Sequence, residues 1–163
     1  MKKINISAAL VLVLVAASSF FFPDPPAGLL KLPGNFRAEI IADNLGAARH
    51  LAVSKQGLVY VKLAKLKEGK GIIVLGAVNS DGRPAKETGF GNFIGTGMYI
   101  KDDYLYASSN TDVYRYRLND RGEVIDTAAP ERVVTGLLDR HEHNSKSIVL
   151  DNKWEGRTFS AGP

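Results

Sequence analysis

"HLAVSKQGLVYVKL" (His50–Leu63) and "GMYIKDDYLYASS" (Gly97–Ser109) are built to one plan. Each has an apolar run, a short polar turn and a second apolar run. In the first, Leu51-Ala52-Val53 turns through Ser54-Lys55-Gln56-Gly57 into Val59-Tyr60-Val61. In the second, Met98-Tyr99-Ile100 turns at Lys101-Asp102-Asp103 into Leu105-Tyr106-Ala107. β-branched and aromatic runs around such turns predict β-hairpins. Ile148-Val149-Leu150 followed by Thr158-Phe159-Ser160 reads as a third copy. Leu51 and Met98 are 47 residues apart, and Met98 and Ile148 are 50 apart. A period of about 40–50 residues with four strands per repeat is the spacing of a β-propeller blade.

The flanking sequence supplies further strands. "FRAEIIA" (Phe36–Ala42) alternates apolar and polar residues, the pattern of a half-buried strand. "GIIVL", "DVYRYRL" and "ERVVTGL" add three more. "NSDG" and "RGEV" are turns, with Asp81-Gly82 supplying a positive-φ position. No helical period is sustained after residue 30. The predicted fold class is therefore all-β: a partial β-propeller of about two blades plus the start of a third, over residues 36–163. Closed propellers have roughly four to eight blades. The chain thus reads as the N-terminal portion of a larger ring, one that on its own is expected to be inactive.

Residues 1–19 read as a signal peptide or an uncleaved anchor helix. Lys2-Lys3 form the positive start, and Ala8 to Ala17 the apolar core. Residues 20–35, with "PDPPAG", read as a Pro-rich linker. The expected location is periplasmic or secreted, with the N-terminal segment as the sole membrane contact. The net charge is +4, and Lys2 and Lys3 supply two of those charges. The rest forms no basic face of the kind that binds nucleic acid. No cysteine is present. That excludes disulfides, thiolate metal sites and a Cys nucleophile.

Several motifs have ordinary explanations. "GFGNFIGTG" (Gly89–Gly97) lacks the spacing of a dinucleotide loop, so its glycines fit close backbone approach better. "KLAKLKEGKG" (Lys62–Gly71) reads as a solvated loop between strands. Tyr104, Tyr106, Tyr114 and Tyr116 alternate as sheet-packing residues do.

"LLDRHEHNSKSIVLDNK" (Leu137–Lys153) is different. It sets His141, Glu142, His143, Asn144 and Lys146 just before an apolar run. These residues could hold a metal, carry catalysis or decorate a loop. Metal is the weaker reading, because a catalytic site usually needs three protein ligands and no third is near.

Three runs carry a family resemblance: "ADNLGAARHLAVSKQGLVYVKL", "GFGNFIGTGMYIKDDYLYASSNTDVYRYRL" and "ERVVTGLLDRHEHNSKSIVLDN". In this order they resemble the first part of the glucose/sorbosone dehydrogenase family, from about Phe36 to Asn152. The resemblance implies an exported propeller quinoprotein. It implies oxidation of an aldose or related sugar with pyrroloquinoline quinone (PQQ) and calcium. On it, His143 corresponds to the general base, a role suited to imidazole with its ordinary pKa of about 6.5. Glu142 and Asn92 correspond to substrate-binding positions. Arg49, Lys62 and Asn144 are the cofactor-binding candidates, and no metal ligand is assigned. The family's calcium site and most of its quinone contacts belong to later blades. The alternative function is a non-catalytic propeller that binds a protein or glycan through its loops.

Overall fold

The computed structural model describes residues 31–139, 146–151 and 159–160. The chain divides into two units, Met1–Ile40 and Ile41–Pro163. In the described part of the first, Phe36 N–H bonds to Pro33 O at 3.2 Å, and Arg37 pairs with Glu39 at 3.2 Å. The strand expected at Phe36–Ala42 does not form. An alternating pattern makes a strand only where a neighbour completes its hydrogen-bond ladder, and among the described residues no strand pairs with this segment. The expected signal or anchor, residues 1–19, lies outside the described residues.

The second unit holds two consecutive sheets, each with four antiparallel strands in chain order. The first comprises β1 (Ala48–Val53), β2 (Val59–Lys67), β3 (Lys70–Leu75) and β4 (Glu87–Phe90). The second comprises β5 (Met98–Lys101), β6 (Tyr104–Ser108), β7 (Val113–Arg117) and β8 (Glu131–Thr135). Both predicted hairpins form. Leu51 pairs with Val61, and Met98 pairs with Ala107, so the sequence repeat is also a repeat of ladder position.

The turns follow their residues. Asp102 and Asp103 have φ of 48° and 60°, the left-handed pair of a two-residue hairpin. The segment read as a loop, Lys62–Gly71, is instead mostly strand. β2 runs on to Lys67, and Glu68-Gly69 (φ 51° and 75°) closes directly into β3. Two residues that accept positive φ are enough to join antiparallel strands. A further repeat emerges after the third strand of each sheet. "VNSDGRP" and "LNDRGEV" form the same loop: Val78 bridges Pro84 and Leu118 bridges Val124, with Gly82 and Gly122 at positive φ.

Alternation divides the first sheet into two faces. Tyr60, Lys62, Ile72 and Phe90 look toward the second sheet, whereas Val61, Leu63, Ile73 and Leu75 look away and pack with Ala42 and Leu45. The second sheet answers with Met98, Leu105, Ala107, Tyr116 and Leu118. Its opposite face, with Tyr106, Val113 and Val133, packs on Ile148 and Leu150. Each fully buried Leu, Ile or Phe stabilises by about 1.5–3 kcal/mol. β1 lies beside β5. Rings fill the interface between the later strands: Phe90 meets Tyr116 edge-on at 4.9 Å, and Phe93 meets Tyr114 at 4.7 Å.

At one end of the interface the Tyr60 hydroxyl donates to Gly122 O at 2.5 Å. Burial raises its pKa to about 12, so it remains a donor. Gln56 donates to Asp120 O beside it. The other end carries the connection between the sheets.

The third hairpin does not form among the described residues. Residues 148–150 are not a strand, although Ile148 and Leu150 pack on the second sheet. Phe159–Ser160 (β9) pairs parallel with β8 instead. The outermost strand of a sheet offers unpaired N–H and C=O groups to any extended segment.

Candidate functional site

The chain crosses from β4 to β5 through Gly91–Gly97, and several glycines there permit very close approach. A Cβ on Gly97 would stand 1.9 Å from Lys146 O, and one on Gly95 would stand 2.0 Å from Ser108 O. On β3, a Cβ at Gly71 would stand 1.9 Å from Phe93 O. The expectation that these glycines serve backbone crowding is met.

Beside this connection lies a cleft of about 220 Å³ lined by Arg49, Ala64, Ile94, Gly95, Thr96 and Asn110. Arg49 is exposed, one residue into β1. Asn110 sits in the β6–β7 turn. Its Nδ2 donates to Asp139 Oδ2 at 3.1 Å, and its Oδ1 is buried with no hydrogen-bond partner among the described residues. A buried acceptor left unpaired is uncommon, because desolvating it costs about 1–3 kcal/mol. A ligand donor would satisfy it.

The segment bearing His141, Glu142, His143 and Asn144 lies outside the described residues. Its two flanks do not. Before it, Leu137 N–H bonds to Thr111 O at 2.8 Å, and Asp139 accepts from Asn110. After it, Lys146 N–H donates to Thr96 Oγ1 at 3.0 Å, and Ser108 Oγ donates to Lys146 O at 2.9 Å. Asn110 and Thr96 are both cleft residues, so the chain leaves and rejoins the described structure at the cleft's rim.

The remaining candidates are dispersed. Asn92 is exposed and lines a different cleft, of about 380 Å³, with Phe93, Tyr114, Tyr116 and Thr127. Lys62 lines neither. It is fully buried between the sheets, with Nζ donating to Phe93 O at 2.7 Å and Gly71 O at 3.2 Å. The ammonium also lies 4.3 Å from the centre of the Phe93 ring. Burial lowers its pKa from 10.5 to about 7. Sequence reasoning missed Thr96, Ser108, Asn110 and Asp139. A polar residue at the end of a repeated apolar strand was their one available signal.

Arg49 and the orphaned Asn110 acceptor suit part of a ligand that carries both a carboxylate and an N–H or O–H donor, as PQQ does. Calcium is less well served. Among the described residues, no group of three or more His, Asp or Glu could hold a metal ion.

Consecutive four-stranded antiparallel sheets, stacked face to face with a polar cleft at a shared end, define the structural class. Residues 30–159 match the TrAA12-like family model, and the chain belongs to that family. This supports the PQQ-dependent sugar dehydrogenase-like fold that the resemblance implied, with a TrAA12-like family and not glucose/sorbosone dehydrogenase specifically. The fold is similar to that of the Trichoderma reesei Carbohydrate-Active Enzymes Family AA12 protein in its iodide structure. There the TM-score is 0.58 at 22% identity, covering 71% of this chain and 29% of that one. It is also similar to the holo form of the pyranose dehydrogenase PQQ domain from Coprinopsis cinerea. That match has a TM-score of 0.56 at 14% identity, covering 70% of this chain and 27% of that one. The chain thus spans less than a third of either structure. No curated protein matches the sequence.

Proposed function

We propose that the two sheets are consecutive blades of a β-propeller, and that they form one side of the site of a PQQ-type sugar oxidoreductase. The observation that carries this reading is the tethering of both flanks of the His143 segment to the Arg49 cleft, at Asn110 and at Thr96. Family membership and the two structural neighbours support the same class.

In this reading Arg49 attracts a carboxylate of the quinone, and Asn110 Oδ1 accepts from a ligand donor. Bound PQQ supplies a two-electron acceptor for an alcohol carbon. His143 takes the proton of the substrate hydroxyl at a ring nitrogen, with Glu142 and Asn92 toward the sugar and Asn144 beside the base. General-base assistance of this kind contributes roughly 10²–10⁴-fold in rate. Residues 1–19 export the protein or anchor it, residues 20–35 form a linker, and the sugar site faces the periplasm or exterior. N-terminal sequencing of the secreted fraction tests that assignment.

The functional test is a titration of PQQ into the purified chain, followed by its absorbance. The expected result is weak, saturable binding that falls about tenfold in Arg49→Gln, the loss of one charge-assisted contact. Equal affinity in wild type and Arg49→Gln, or no binding at all, counts against the site. Glycan binding without any response to PQQ would favour the non-catalytic binding module.

A further inference from the structure

We propose that Lys62 is a positioning residue for the candidate site: from inside the sheet interface it holds the Gly91–Gly97 connection, so that the wall of the Arg49 cleft follows the charge of this one side chain. Its stronger bond, at 2.7 Å, is to Phe93 O. Phe93 directly precedes Ile94, Gly95 and Thr96, three residues of the cleft wall. The connection has little slack. Phe93 O already occupies the space a Cβ on Gly71 would need, and Gly71 N–H bonds to Gly91 O at 2.5 Å. Gly95 N–H is bonded to Leu63 O, next in sequence to Lys62.

The choice of lysine here is costly. Its hydrogen-bond partners among the described residues are two carbonyls, with no carboxylate to offset the buried charge. A methionine of similar length would fill the space without that desolvation. What lysine adds is a pair of charge-assisted hydrogen bonds, roughly twice as strong as neutral ones. Raising the pH through about 7 removes the charge and weakens both bonds. The titratable groups facing it are His50, directly opposite on β1, and Tyr114 and Tyr116 across the interface. β3 and β4 present Ile72 and Phe90. In the second sheet Ser108 holds Lys146 O with a hydroxyl, which does not titrate.

The positioning role stands on this geometry, and its functional meaning rests on the proposed quinone site. The test follows the Gly95 and Thr96 amide resonances from about pH 6 to about pH 9 in a His50→Gln background, which leaves Lys62 as the one ionisable side chain of its cross-strand pair. Both amides are expected to shift with a midpoint near 7 in the presence of Lys62. They are expected to stay flat in Lys62→Met and in Lys62→Arg, whose charge persists. A merely space-filling Lys62 would give no such profile. Flat amides with Lys62 present, or the same titration in Lys62→Met, would overturn the proposal. Titrating amides in a chain that binds no PQQ would support the positioning role and count against the quinone site instead.

Discussion

Leu51 and Met98 occupy the same rung of two equivalent sheets, yet Leu51 is 60% exposed and Met98 only 1%. Both sit on the first strand, opposite the second. The difference comes from what lies beyond the sheet. Met98 looks onto the first sheet, whereas the corresponding face of the first sheet looks away from the second. Burial in a stack is therefore set by the neighbour, and the strand's own pattern supplies only the alternation. The same comparison distinguishes Lys62 from Ser108. Each lies in the buried part of its second strand and reaches a main-chain carbonyl further along the chain, Phe93 O and Lys146 O respectively. One uses a charge and the other a hydroxyl.

The most severe way to break the repeat is at its crowded glycines. Gly97→Ala and Gly71→Ala should each cost about 3 kcal/mol or more, since the added methyl meets a carbonyl rather than a movable side chain. Gly69→Ala, with open space but φ of 75°, should cost about 1 kcal/mol. Urea denaturation of the three variants gives the ranking. Met98→Ala should cost about 3 kcal/mol and Leu51→Ala about 1 kcal/mol or less. Equal costs would show that Leu51 is covered in solution.

The Lys62–Ser108 contrast predicts a pH effect of known sign. The folded pKa of Lys62, about 7, lies below its ordinary 10.5. Between these values the unfolded chain binds more protons, so this group makes stability rise with pH across the window and leaves it flat below 7. Relative to Lys62→Met, the wild type should gain on the order of 4 kcal/mol from pH 7 to 10.5, measured by denaturation at each pH. Ser108→Ala should show no such slope. A small effect is expected at the opposite end of the interface. Tyr60→Phe removes the bond to Gly122 O and should cost about 1 kcal/mol in the same assay.

Much of the fold was legible in the sequence. The Leu51/Met98 repeat marked the two hairpins because strands, turns and alternation are local. Lys62–Gly71 was misread because its lysines suggested solvent, although Glu68-Gly69 is a sufficient two-residue turn. Phe36–Ala42 was misread for the converse reason, since a strand needs a partner that the pattern cannot supply. The Asn79–Gly82 and Asn119–Gly122 loops carried a visible N-x-x-G repeat that was overlooked. Of the site, Arg49 was legible as a charge at a strand end, and Asn92 falls in a separate cleft. Asn110, Thr96 and Asp139 were not legible, because they meet across 14 to 50 residues of chain.

The sequence by itself determined the hairpins, their repeat and the face each strand turns inward, because backbone alternation and turn chemistry act over a few residues. Only the tertiary structure decided which faces are covered, that Lys62 is interior, and that Asp139 and Lys146 flank one cleft. Those outcomes depend on close backbone approach and desolvation between sheets, and neither exists until the second sheet packs against the first.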